Sequence, residues 1–161
     1  MKVEFSRNEV IEMALQIEKR GLSFFEAMQK SASNENVEKV FGFLAAEERE
    51  HIATFEGLRN SKDRLQLQGP YNWQEVGEYF GTLMDNMVFP EIEEGDELAK
   101  EIQDEFTAIQ VAISIEKDNI LFFREISDLV GEGDKTLLGE LIEQEKGHIR
   151  KLMDLKKELN A

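Results

Sequence analysis

Two Glu-x-x-His pairs, Glu48 with His51 and Glu145 with His148, are the residues in this chain best able to do chemistry. They contain both of its histidines. Residues three apart share one face of an α-helix, so the two side chains of each pair would point to the same place. Carboxylates and imidazoles together suit iron, manganese or zinc. The two pairs therefore predict a metal site, provided that they meet in the fold.

Two more glutamates stand at repeated positions. Residues 17–25, IEKRGLSFF, recur 98 residues later as IEKDNILFF at residues 115–123, and the copies place Glu18 and Glu116 among apolar residues. The Glu-x-x-His segments recur at a spacing of 97 residues. The chain is thus two units of one design, and each unit supplies two glutamates and one histidine.

The elements that must position these side chains are four long helices, predicted at about 7–31, 34–59, 104–130 and 134–159. Apolar residues recur at steps of three and four in each of them, for example Phe106, Ile109 and Ile113 in the third. Ser6, with Glu9 three residues on, is typical of a capping box. The other start and stop signals are N-caps at Ser33 or Asn34, Asp104 and Asp134, and a C′ glycine at Gly131.

The pattern predicts an all-α four-helix bundle in one domain spanning residues 1–161. The short turns join the helices into two antiparallel hairpins. A long connector, residues 61–103, would hold a short extra helix capped by Asn72 and an acidic surface loop at 89–97. A connector of this length can cross the bundle, so that the third long helix runs parallel to the second.

All four glutamates lie near the midpoints of their helices, so antiparallel packing should bring them to one level. Burying carboxylates without partners is costly, and four together repel one another. No Lys or Arg lies on the apolar stripes; Lys19, Arg49, Lys117 and Lys146 each follow a glutamate directly and should face outward. Two divalent cations would balance four carboxylates. The alternative is a polar network of protonated carboxyls that fixes helix register.

Composition excludes several other classes of site and partner. The chain has no cysteine, which excludes disulfides and thiolate metal sites. Its net charge of −15 argues against binding to nucleic acid or to an anionic membrane. No apolar run reaches the ~20 residues of a transmembrane helix. The N-terminal sequence has no apolar export segment, so the cytoplasm is the expected location.

One Glu from each of two helices, with Glu-x-x-His from each of the other two, resembles the di-iron carboxylate pattern of ferritin-like bundles. The chain most resembles the rubrerythrin branch, in its stand-alone form. The resemblance implies two iron ions, with manganese or zinc as alternatives. It further implies that Glu18 and Glu116 are terminal ligands, that Glu48 and Glu145 bridge the metals, and that His51 and His148 each bind one metal.

Three departures from rubrerythrins stand out. Those proteins end in a rubredoxin-type domain with four cysteines, whereas here Ala161 follows the fourth helix, so we expect electrons from another protein. Rubrerythrins carry a further glutamate three residues after the third-helix ligand, where this chain has Asn119. The only tyrosines, Tyr71 and Tyr79, lie in the connector, which argues against a redox tyrosine at the metals. The counterpart of Asn119 is Gly21, which we expect to leave space for peroxide or O₂.

The resemblance favours a di-iron oxidoreductase that reduces hydrogen peroxide or O₂ in oxidative stress, with electrons from an external donor such as a rubredoxin. Two alternatives stay open: an iron-binding, ferroxidase-type storage protein, and a di-metal oxygenase or oxidase acting on an organic substrate. A homodimer, with or without helix exchange, is a further expectation, since dimers are common in such families.

Overall fold

The computed structural model describes residues 5–87 and 92–161, which form an all-α bundle. Its helices are α1 (Arg7–Ser31), α2 (Glu35–Asn60), α3 (Trp73–Asp85), α4 (Ile92–Glu101), α5 (Glu105–Ser127) and α6 (Glu132–Leu159). In the described parts of the chain, the only strand-like pairing is an isolated bridge between Leu67 and Val130. The predicted fold class is therefore confirmed.

Local sequence signals set the starts of three long helices. At α1 the Ser6 side chain accepts from the Glu9 amide, and the Ser6 amide donates to Glu9 Oε2 at 2.7 Å, which completes a capping box. Asn34 rather than Ser33 caps α2. Asp104 caps α5 and accepts from the Thr107 amide at 2.7 Å. These side chains satisfy amide groups that have no partner within the helix.

The turn between α5 and α6 differs from the prediction. Because α5 ends at Ser127, Gly131 is not a C′ residue; it is the N-cap of α6, with φ −73°. Asp134 lies inside the first turn of α6 instead of capping it. Its carboxylate accepts from the Leu65 amide at 2.9 Å and from Arg64 Nε at 2.7 Å. The Asp134 side chain therefore binds the connector and does not cap α6 as the local sequence had predicted.

The long helices form the two hairpins predicted from the repeat. Helix α1 packs on α2 and α5 packs on α6, while α1 also contacts α5 and α2 contacts α6. The Ser33 amide donates to Glu105 Oε1 at 2.8 Å, which places the start of α5 beside the turn between α1 and α2. Helix α5 therefore runs parallel to α2, as expected for a connector that crosses the bundle.

The connector contains more helix than the sequence analysis predicted. Helix α3 begins after its predicted cap Asn72 and buries Phe80 and Met84. The segment 89–97 was predicted to be an acidic loop, and this is wrong for residues 92–97, which belong to α4; residues 89–91 lie outside the described residues. Helix α4 packs along α1, where Ala99 is buried and Leu98 partly buried. Its Glu, Leu, Ala and Lys residues are good helix formers, and that apolar contact stabilises the helix.

The apolar core consists of two clusters. One surrounds the start of α1 and contains Val10, Phe55, Phe123 and Leu138, among others. The second surrounds the turn between α1 and α2 and contains other residues of all four long helices, including Phe25, Phe41, Ile109 and Leu152. Phe106, predicted to face the core, is 38% exposed and lies under Lys156 Nζ. No described helix is long and apolar enough to cross a membrane.

Candidate metal centre

A polar layer lies between the two apolar clusters. It contains all six residues that the sequence analysis singled out: Glu18 of α1, Glu48 and His51 of α2, Glu116 of α5, and Glu145 and His148 of α6. The four carboxylates have no exposed surface, and the two histidines are at most 3% exposed. The structure thus brings every predicted site residue into one buried layer.

The six side chains form two overlapping groups. Glu18, Glu48, His51 and Glu145 each offer a ligand atom within 4.8 Å of the others, and so do Glu48, Glu116, Glu145 and His148. Glu48 and Glu145 belong to both groups. Each group therefore has three carboxylates and one imidazole. Two cations could be held side by side, with two carboxylates shared between them.

Both histidines turn the same ring nitrogen toward the layer. Nδ1 of His51 lies 3.3 Å from Glu18 Oε2 and 3.2 Å from Glu145 Oε1. Nδ1 of His148 lies 2.9 Å from Glu145 Oε2 and 3.3 Å from Glu116 Oε1. Nδ1 is therefore the nitrogen available to a cation in both groups.

The outer ring nitrogens face residues that the sequence analysis missed. His51 Nε2 lies 2.7 Å from Gln144 Oε1, and His148 Nε2 lies 3.8 Å from Glu47 Oε2. Gln144 directly precedes Glu145, and Glu47 directly precedes Glu48. The repeat aligns these two positions, but their pairing with the histidines is a contact between hairpins that the sequence does not display. At His51, where the distance is that of a hydrogen bond, this acceptor favours the tautomer that leaves Nδ1 free for a metal.

Several carboxylate oxygens in the layer are buried without a hydrogen-bond partner. Among the described residues, these include both oxygens of Glu48, both oxygens of Glu116, and Oε1 of Glu18 and of Glu145. Leaving a buried charged acceptor unsatisfied costs more than ~1–3 kcal/mol per group. Bound divalent cations would remove this cost and balance the charge. The donor set therefore fits a pair of hard or borderline metal ions.

The electrostatics of the layer reflect crowded carboxylates. Burial raises the pKa of Glu48, and the nearby charges of Glu18 and Glu145 raise it further. Burial also raises the pKa of Glu116, with Glu145 adding to the effect. Two carboxyls thus tend to hold protons when no cation is present. This protonation reduces the mutual repulsion that four ionised carboxylates would create.

The pKa values of His51 and Glu145 shift in the opposite sense to the effect of the burial that surrounds them. Burial opposes the pKa shifts of His51 and Glu145, but the hydrogen bonds and charges around them outweigh it. Contacts with Glu145, Glu18 and Glu48 raise the pKa of His51. Contacts with Glu116, His148 and His51 hold the pKa of Glu145 well below its ordinary value. The opposite pKa shifts of His51 and Glu145 show how strongly the buried carboxylates and imidazoles interact across the layer.

Basic side chains next to the glutamates are engaged elsewhere. Arg49 pairs with Glu26 at 2.6 Å, and Lys146 pairs with Glu143 at 2.6 Å, both on partly exposed surfaces. These pairs confirm that the Arg49 and Lys146 side chains face away from the layer, as helical geometry predicted.

Gly21 and Asn119 border the layer differently. A Cβ atom at Gly21 would lie 3.6 Å from Glu48 Cδ and 3.6 Å from Phe25 Cε2, so the described residues leave room for a methyl group beside this carboxylate but no open cavity. Asn119 is 1% exposed, and its Nδ2 is one of the buried atoms without a hydrogen-bond partner in the described parts of the chain. Tyr71 and Tyr79 are 46% and 45% exposed, on the connector.

Comparisons with known proteins agree with this geometry. The rubrerythrin family model matches residues 9–156. A solved structure described as that of a ferritin-like diiron-carboxylate protein from Thermotoga maritima is 25% identical, with a TM-score of 0.71, over 98% of this chain and 99% of that chain. Comparison with curated proteins gives no match. The buried carboxylate and histidine layer suits a di-iron protein, and the chain belongs to the rubrerythrin family.

Proposed function

We propose that this protein is a di-iron oxidoreductase that reduces hydrogen peroxide or O₂ with electrons from an external donor. The observation that carries the proposal is the pair of overlapping ligand groups that share Glu48 and Glu145. Shared carboxylates hold two metal ions close enough to act on one small molecule.

The six residues of the layer would hold the metals. Glu18 and His51 would bind one iron and Glu116 and His148 the other, while Glu48 and Glu145 would bridge them. The bound ferrous pair would supply two electrons, so that H₂O₂ takes up two electrons and two protons, its O–O bond breaks, and two water molecules form.

The surrounding residues prepare a small, dry site. The two apolar clusters close the layer above and below, which limits the entry of bulk water. Gly21 has no side chain beside Glu48, and a larger residue there would crowd the carboxylate against which peroxide or O₂ would bind. Asn119 provides a neutral amide where typical rubrerythrins have a glutamate. The site therefore has one carboxylate fewer than theirs.

The test is stoichiometric peroxide addition to protein loaded with ferrous iron in the absence of oxygen. We expect two irons per chain, a rapid absorbance change that is complete at one peroxide per two irons, and re-reduction by a reduced rubredoxin over several cycles. His51→Ala should lose this reaction. Glu143→Gln, which changes a surface carboxylate, is the control and should keep it.

Other results would favour the alternative functions. A large shell that holds many irons per chain, with oxidation that reduced rubredoxin cannot reverse, would indicate storage. Oxidation coupled to conversion of an added organic substrate would indicate an oxygenase. Either result would overturn the proposed peroxide or O₂ reductase.

A further inference from the structure

The outer partners of the two histidines are crossed between the hairpins. His51 belongs to the first hairpin, and its partner Gln144 belongs to the second. His148 belongs to the second hairpin, and the acceptor nearest its outer nitrogen, Glu47, belongs to the first. The two partners occupy equivalent positions in the repeat, 97 residues apart.

These equivalent partners differ in charge and in contact. The neutral amide oxygen of Gln144 is in hydrogen-bonding distance of His51 Nε2, at 2.7 Å. The Glu47 carboxylate lies 3.8 Å from His148 Nε2, and that buried nitrogen has no hydrogen-bond partner among the described residues. The Glu47 side chain is 33% exposed, so it can change rotamer toward the ring.

We propose that Glu47 and Gln144 are positioning residues that make the two metal positions unequal. The inference rests on the di-metal assignment above. A cation at Nδ1 draws electron density from the imidazole and makes the outer N–H a stronger donor. A hydrogen bond from that N–H group to a carboxylate is about twice as strong as one to a neutral acceptor. Glu47 therefore closes on His148 when the metal binds, and the metal held by His148 binds more tightly than the metal held by His51.

The surroundings of His148 favour this closure. The Phe43 ring meets the His148 ring edge-on, with 6.0 Å between centroids, and Lys151 Nζ lies 4.6 Å above Phe43. Phe43 therefore shields one side of the imidazole. The carboxylate of Glu47 is the acceptor found near the outer nitrogen in the described residues.

The test is titration of metal-free protein with Co²⁺ as the probe, followed by calorimetry and visible absorbance. Wild type should bind two ions in two separate steps, and His148→Ala should lose the tighter step. Glu47→Gln should weaken the tighter step by roughly tenfold or more, the size of effect measured for outer partners of metal ligands. Gln144→Glu should tighten the weaker step, and the double exchange should reverse the order.

Two controls separate this role from simple structural damage. Glu50→Gln removes the same charge from an exposed position of α2 and should leave both steps unchanged. Glu47→Asp keeps the carboxylate and should recover part of the affinity. The proposal is overturned if Glu47→Gln changes the steps no more than Glu50→Gln does, or if Gln144→Glu weakens binding while circular dichroism shows an intact fold.

The outcome is independent of the proposed reaction. If two ions bind with unequal affinity and no peroxide or O₂ is reduced, the proposed function fails and the inequality stands. If wild-type protein binds fewer than two ions per chain, both fail.

Discussion

The His51 half and the His148 half of the polar layer have matching candidate ligands but different surroundings. Each half has one unshared glutamate, one histidine and the two shared glutamates. Next to the first half stand Gly21 and the neutral Gln144. The second half contains Asn119 on the same helix as its unshared glutamate, and the carboxylate of Glu47 faces its histidine. The repeat therefore places the same candidate ligands in both hairpins, while unlike neighbours give each half its own properties.

Removing a shared carboxylate should have the largest effect on this arrangement. Glu48 belongs to both ligand groups, so Glu48→Ala should reduce the metal content from two ions per chain to none. Glu18 belongs to one group, so Glu18→Ala should leave one ion bound in the second half. Elemental analysis after gel filtration measures both. If Glu48→Ala lost only one ion per chain, as Glu18→Ala should, the two halves would not share Glu48.

Removing the metals should lower stability strongly. A ligand present at 100 times its Kd stabilises the fold by ~2.7 kcal/mol, so two ions contribute about 5 kcal/mol. For a chain of this size that corresponds to a Tm increase of roughly 10–20 °C. Thermal unfolding of metal-free and loaded protein checks the value. His148→Ala should keep less than half of the increase, because it loses the tighter ion, and a full increase in that variant would contradict the two-half assignment.

Filling the space at Gly21 should impair the reaction in the first half. A Cβ atom there meets Glu48 Cδ at an ordinary contact distance of 3.6 Å, but the branched end of a leucine would press on that carboxylate. Displacing a reacting group by ~1 Å costs on the order of 10²-fold in rate. Gly21→Leu should therefore lose roughly that factor in peroxide turnover, while the matched Gly21→Ala stays near wild type. Unchanged turnover in Gly21→Leu would refute the role of this space.

The pH dependence of stability should reverse sign with metal loading. The pKa values of Glu48 and Glu116 are raised, so the folded metal-free chain binds more protons than the unfolded chain above the ordinary value of 4.5. Its free energy of unfolding should therefore fall as the pH rises through the raised pKa values. Metal binding displaces those protons, so affinity should rise with pH by up to about tenfold per unit for each proton released.

Thermal unfolding between about pH 5 and pH 8, with chelator or with metal, tests this contrast. Glu143→Gln is the control, because Lys146 lowers the pKa of that exposed group. Metal-free protein whose stability rose with pH across this range would contradict the assignment of protons to the layer.

The candidate ligands were predictable because two periodicities coincide in the sequence. Helical spacing places Glu48 and His51 on one face, and the 97-residue repeat marks the same pair at Glu145 and His148. Local cap signals likewise predicted where α1, α2 and α5 begin. These features depend on neighbours within one or two helical turns, which sequence displays directly.

The features that were missed depend on contacts between distant segments. The neighbours of Asp134 predict an N-cap, but its carboxylate instead accepts hydrogen bonds from the Leu65 amide and from Arg64. The pairing of Gln144 with His51 depends on how the two hairpins rotate against each other. Helix α4 is stabilised by its contact with α1, which its local sequence does not reveal. The acidic residues of this segment therefore led to the prediction of a loop.

Each histidine has its outer partner in the opposite hairpin, and this arrangement bears on how the architecture arose. Each hairpin carries two glutamates, one histidine and the outer partner of the other hairpin's histidine. Neither hairpin alone can assemble a complete centre. A chain of half this length could build the same layer by pairing two identical copies about a twofold axis. The present chain has the form that fusion of such a symmetric pair would produce, and fusion is the step that lets the two copies diverge.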